Sequence, residues 1–221
     1  MLDNVGGTMS CWHMQGDPSG WKCFEKFGGE HGPVYCMVSL RGGLVAVGFD
    51  RQALCVYDVA KGTLVAGPLG GHTGAVTAVT VSGTRLYSAS RGKDDYYKGW
   101  QEARLVVHSI KTWQLVLEGP QLRRGEQNVR SLLVAGPVLV TGASGPKYSA
   151  TTEYEVVIMD AATLAPLRVM RQGPGENVLC LLSTSGAVWA TAGRKLVVWR
   201  NSGGLERGEF LSLGPRRFQL M

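Results

Sequence analysis

No long apolar run interrupts this sequence. The longest, Leu132 to Val140, is broken by Gly136 and Pro137 and falls far short of the ~20 residues that a membrane-spanning helix needs. No membrane span is expected. Met1 to Ser10 lacks both the basic start and the apolar stretch of a secretion signal, so a cytoplasmic or nuclear setting is expected. A disulfide framework is missing as well. The five cysteines, Cys11, Cys23, Cys36, Cys55 and Cys180, are odd in number, contain no CxxC pair, and mostly sit among alternating apolar residues as small buried hydrophobes do. Cys11, His13, Cys23, His31 and Cys36 are zinc-ligand types, but their spacing matches no compact ligand knuckle, and no metal site is expected.

Catalytic signatures are equally scarce. There is no P-loop, no GxGxxG after a strand and no HExxH; Gly142 to Lys147 has the look of a phosphate cradle without the strand-to-helix context that makes one work. The expectation is a protein without catalytic residues or cofactor. The charge is only modestly one-sided: Lys and Arg exceed Asp and Glu by 23 to 17, giving +6, with a pI near 9.2. At 221 residues, 44% of them hydrophobic, the chain can bury a substantial core.

What the chain has in abundance is glycine, 31 residues spread without a strict period, which suits many tight turns. Runs of four to eight apolar or β-branched residues alternate with Gly, Pro, Asp, Asn or Ser, and almost nowhere does a 3.6-residue period appear, so the fold reads as all-β. One four-strand pattern recurs. The first copy reads Val34 to Leu40, Leu44 to Gly48, Leu54 to Asp58 and Thr63 to Ala66. The second reads Ala75 to Val81, Leu86 to Ser90, Leu105 to His108 and Trp113 to Leu117. The third reads Val129 to Val134, Val138 to Gly142, Val156 to Asp160 and Leu164 to Val169. The fourth reads Val178 to Leu182, Val188 to Ala192, Leu196 to Trp199 and Phe210 to Leu213. Repeat spacings of 41, 53 and 49 residues (His31 to His72, Val76 to Val129, Val129 to Val178) put the variation in the loops. A four-stranded unit of ~40–45 residues is the size of a β-propeller blade.

Gly71-His72-Thr73-Gly74-Ala75-Val76 is similar to the Gly-His opening of a WD40 blade, and Leu196-Val197-Val198-Trp199 resembles its closing Trp-Asp strand, with Arg200 in place of Asp. The equivalent positions elsewhere are degenerate: Tyr57-Asp58, His108-Ser109 and Met159-Asp160. The resemblance implies a WD40-type propeller and, in an ideal blade, a buried network joining the opening His, a second-strand Ser, a turn Asp and the third-strand Trp. His72, Ser88 and Trp199 match structural members of that network. A Ser-His-Asp triad of His72, Ser88 and Asp94 is the rival reading, and no nucleophile-elbow context accompanies it.

Gly6 to His13 and Trp21 to Phe24 read as the last two strands of a blade whose inner two are missing. The expected organisation is a single domain: a partial blade (1–27) and four blades (28–70, 71–119, 120–172 and 173–221), in an arc or a tightened ring. Open blade edges would favour self-association.

Two insertions break the repeat between second and third strands, Arg91 to Arg104 and Ser144 to Tyr154, and both emerge on the same face, which the WD40 resemblance implies also carries the connections between blades. Loops on a rigid scaffold concentrate binding residues, and Tyr, Trp and Arg dominate interface energetics. The partner-binding candidates are Arg91, Lys93, Asp95, Tyr96, Tyr97, Lys98 and Trp100 in the first insertion, Arg123 and Arg124 on the next connection, Lys147 and Tyr148 in the second insertion, and Arg171. The bland alternative is that these aromatics anchor their own loops. The expected function is a non-catalytic scaffold or adaptor holding a protein or peptide, acidic or phosphorylated, through Arg pairing. The alternative is a nucleic-acid module, RNA above all, which requires a basic track with stacking aromatics.

Overall fold

A computed structural model describes residues 8–13, 22–28, 30–95, 99–101, 103–119, 128–144, 154–172, 178–184, 187–192, 195–201 and 210–212. These residues contain no α-helix, only a short 3-10 turn at Arg41–Gly43. Strands β1 (Thr8–His13) and β2 (Lys22–Gly28) pair antiparallel as a two-stranded sheet. Four antiparallel four-stranded sheets follow, here called units one to four.

Unit one is β3 (Val34–Ser39), β4 (Leu44–Phe49), β5 (Leu54–Asp58) and β6 (Thr63–Ala66), paired in chain order. Unit two is β7 (Val76–Ser82), β8 (Arg85–Ser90), β11 (Leu105–Ser109) and β12 (Leu115–Glu118), with a separate hairpin of β9 (Lys93–Asp95) and β10 (Gly99–Gln101) inserted between its second and third strands. Unit three is β13 (Asn128–Ala135), β14 (Val138–Ser144), β15 (Tyr154–Asp160) and β16 (Pro166–Gln172). Unit four is β17 (Val178–Thr184), β18 (Ala187–Ala192), β19 (Lys195–Asn201) and β20 (Phe210–Ser212).

The core lies between sheets rather than within one. Met9 of β1 packs with Val34, Val47, Phe49 and Tyr57 of unit one. Ala46, Leu54 and Val56 of unit one meet Val76 and Leu86 of unit two. Units two and three share Leu105, Val107, Leu132, Leu139 and Met159, and units three and four share Val140, Ile158, Val178 and Val188. Sheets covered on both faces explain why the second and third strands read as near-continuous apolar runs, such as Leu54–Asp58, while the outer β6 is mostly exposed.

Side-chain volumes are matched where units meet. Facing pairs on the first two strands are Cys36 with Gly48, Ala78 with Ala89, and Ser131 with Gly142. A Cβ at Gly48 would lie 2.6 Å from Cys36 Sγ and 2.7 Å from Val76, and one at Gly142 would lie 2.5 Å from Val178 of the next unit. A larger second-strand residue there would wedge neighbouring units apart.

The turns between third and fourth strands of units one, two and three, at the end of the molecule away from the inserted hairpin, are built alike. Asp58 Oδ1, Ser109 Oγ and Asp160 Oδ1 each accept from the backbone N–H groups two and three residues on. Four residues on, Gly62, Trp113 and Leu164 all take positive φ (64°, 59° and 60°) and close the turn onto the same residue's carbonyl. This corrects two strand boundaries. Trp113 and Leu164 do not begin the outer strands, which start at Leu115 and Pro166, because the turn requires the left-handed region where only Gly62 advertises it. A second correction concerns the first insertion, which is not simply a loop, since β9 and β10 form the hairpin.

Candidate functional site

The second strand of unit two ends at Ser90, and the chain leaves the sheet through Arg91 into the hairpin. The foot of the hairpin is tied to the sheet by backbone bonds: Ser90 N–H donates to Arg104 O at 2.9 Å and Arg91 N–H to Ala75 O at 2.9 Å. Above the foot, β9 and β10 pair Lys93 with Gln101, Asp94 with Trp100, and Asp95 with Gly99.

Arg91 reaches across the junction to unit one. Its Nη2 lies 3.0 Å from Asp50 Oδ1, the Tyr35 hydroxyl donates to the same oxygen at 3.2 Å, and the guanidinium carbon stands 5.6 Å from the Tyr35 ring centroid. Each partner is placed by local structure. Asp50 follows the last residue of β4 and its N–H donates to Pro33 O, while Tyr35 is the residue that a register shift between Val34 and Cys36 leaves out of the ladder. Bulges of this kind re-aim a side chain.

The same shift occurs near the start of every innermost strand, at Val76/Ala78, Val129/Ser131 and Val178/Cys180. The residues set out of register are Tyr35, Thr77, Arg130 and Leu179. Tyr35, Arg130 and Leu179 are exposed, whereas the Thr77 hydroxyl donates to Val129 O of unit three. Alternation in the sequence masks these bulges, and neither Tyr35 nor Asp50 stood out as a site residue. The detectable signal was a valine at the same place in all four copies.

Beneath this rim is a buried polar cluster. His72 Nε2 and Ser88 Oγ are 2.9 Å apart. Burial, reinforced by His108 and Arg104, pushes the His72 pKa down to about 3, far below the range useful to a general base at neutral pH. Burial also lowers the pKa of His108, against an opposing influence from the Gly70 backbone, yet neither of its ring nitrogens makes a bond of good geometry. His72 Nδ1 and Ser90 Oγ are likewise buried without a partner. Two thiols are held protonated by burial, Cys36 pushed up to about 12 and Cys55 to about 11. Among the described residues no three His, Cys, Asp or Glu side chains gather as a metal site.

Of the residues selected from the sequence, Arg91 lies at the hairpin foot, and Lys93, Asp95 and Trp100 lie on the hairpin strands. Arg171 pairs with Glu155 in unit three, and Trp199 pairs with Val188 and Ser212 in unit four. Tyr96, Tyr97, Lys98, Arg123, Arg124, Lys147 and Tyr148 lie outside the described residues.

No protein-family model matches the sequence, and no curated protein matches it. Solved structures do. A chain of the mitotic checkpoint complex is similar with a TM-score of 0.66 at 17% identity, over 89% of this chain and 56% of that one. This chain therefore spans a little over half the length of that neighbour. The computationally designed Ika4 protein gives 0.58 at 20% identity over 79% of this chain and 94% of its own. The designed Ika8 protein gives 0.56 at 18% identity over 96% and 70%. At these identities the likeness concerns fold, and it agrees with a succession of four-stranded antiparallel sheets.

Proposed function

We propose that the chain is a WD40-type β-propeller acting as a non-catalytic scaffold, which holds a protein or peptide partner on the face from which the β9–β10 hairpin rises. The observation that carries this reading is the hairpin itself, a projection set on a foot of backbone bonds, beside an exposed Arg, Tyr and Asp cluster spanning two units. Rigid sheets with one elaborated rim suit recognition, because the partner meets preorganised groups and little ordering entropy opposes binding. The similarity to a chain from a multiprotein complex supports the same reading.

Replacing Tyr96, Tyr97 and Trp100 together by Ser tests it. The expected result is an unchanged thermal unfolding midpoint with loss of the proteins captured by the unaltered chain, an effect on the order of 2 kcal/mol or more if one aromatic is a hot spot. A variant that stays folded and keeps every captured protein places the site elsewhere. Capture of RNA alone, released by moderate salt, would favour the nucleic-acid alternative.

A further inference from the structure

Arg91 already holds an anion. Its guanidinium and the Tyr35 hydroxyl, from two different units, converge on one oxygen of Asp50. Both charged side chains remain open to water, 44% exposed for Arg91 and 36% for Asp50. An ion pair so exposed contributes little to stability. Units one and two are in any case joined by a shared apolar core and by the Cys36 thiol on Val76 O. The cluster is therefore a poor brace. It is a good anion receptor, with a planar cation and a hydroxyl donor preset around a carboxylate at the surface.

The other bulged residues extend the same surface. Thr77 is bonded to Val129 O, which places it beside Arg130, and β13 in turn packs against β17, which carries Leu179. An aromatic hydroxyl, a guanidinium and an aliphatic side chain are thus presented at equivalent positions of units one, three and four.

We propose that Asp50 is a built-in stand-in for an acidic residue of a peptide partner. The partner's carboxylate displaces Asp50 from Arg91 and the Tyr35 hydroxyl, while the exposed Leu179 receives a neighbouring residue of the same peptide. The proposal rests on the reading of this face as the partner-binding face. Exchange of one carboxylate for another conserves the charge-assisted hydrogen bonds, and a pair shielded from water by the bound peptide outweighs the exposed pair it replaces, so Arg91 contributes net affinity. Asp50 must then act as a competitor, an arrangement that a purely structural ion pair does not produce.

The full chain is titrated with a fluorescent peptide of alternating Glu and Leu, beside a Gln and Leu control. Asp50→Asn keeps the shape and removes the competing charge; it is expected to bind the Glu peptide about 3- to 5-fold more tightly, the ceiling set by an exposed pair. Arg91→Lys, which keeps the charge and loses the planar fork, is expected to bind about 10-fold more weakly and to cancel the Asp50→Asn gain in the double variant. The Gln peptide should be indifferent to both changes. Equal or weaker Glu-peptide binding by Asp50→Asn, or binding only when phosphoserine replaces Glu, overturns the proposal. If that happens while the hairpin triple variant still loses its captured proteins, the stand-in fails and the binding face survives; if the triple variant keeps them, the face itself is wrong.

Discussion

Two arginines at opposite ends of one strand do different work. Arg85 opens β8 and donates through Nη1 to the carbonyls of Ala161 and Ala162 in unit three, at 3.3 and 2.9 Å, while the neighbouring Tyr87 hydroxyl donates to Ala161 O at 3.0 Å from a buried position. Arg91, just past the other end of β8, meets the side chain of exposed Asp50 in unit one. Backbone carbonyls cannot swing away, and a buried carbonyl stripped of its donors loses hydrogen bonds that water does not replace. A surface carboxylate can swing away, and water or another anion takes its place at little cost. The lower junction is fixed and the upper one is exchangeable, although residue type alone makes the two arginines look alike.

Perturbations that enlarge or erase this contrast differ widely in size. Acid should act most strongly, through the buried cluster beneath the upper rim. Folding lowers the His72 pKa from 6.5 to about 3, so the unfolded chain binds a proton that the folded chain refuses. Stability from this group is complete above pH 6.5 and drains away as pH falls toward 3, at ~1.4 kcal/mol for each unit crossed. Urea unfolding at pH 7, 5.5 and 4.5 should show the midpoint falling in that order. A His72→Gln variant should lose much of the slope, and an unchanged slope would move its cause to other groups.

Wedging neighbouring units comes next. Gly142→Ala sets a methyl 2.3 Å from Ser131 Oγ and 2.5 Å from Val178 Cγ1, and overpacking of this kind is expected to cost about 1–3 kcal/mol. Gly136→Ala, in an exposed turn at φ 60°, supplies a comparison governed by backbone strain rather than by packing between units. If Gly142→Ala leaves the thermal midpoint where it was, the spacing between units three and four is looser than described. Tyr87→Phe should cost on the order of 1 kcal/mol, since Ala161 O keeps Arg85 as its other donor. Asp50→Asn should shift stability by no more than about 0.5 kcal/mol. Equal losses from Tyr87→Phe and Asp50→Asn would erase the distinction between fixed and exchangeable junctions.

The strands were legible wherever alternation and turn residues agreed, as at Leu54–Asp58 and Thr63–Ala66. They were misread where a turn was built from apolar residues. Trp113 and Leu164 occupy the left-handed position that glycine fills at Gly62, and apolar side chains there look like strand. Four innermost-strand bulges stayed hidden because Val-Tyr-Cys, Val-Thr-Ala, Val-Arg-Ser and Val-Leu-Cys preserve an alternating look while the register slips. Arg91 was visible as a surface cation beside an insertion, but Asp50, 41 residues earlier, and Tyr35, 15 earlier still, come to it only through the packing of one sheet against the next. Long-range pairing of that kind leaves no local trace.

The claim that the hairpin face binds and the opposite end only holds the fold together is tested most directly by the affinity of Arg85→Gln and Arg91→Gln for the Glu and Leu peptide, measured side by side. Arg85→Gln is predicted to bind as the unaltered chain does, and Arg91→Gln about 10-fold or more weakly, as when one member of a charged contact to a partner is removed. Equal affinities, or a loss confined to Arg85→Gln, would contradict the account.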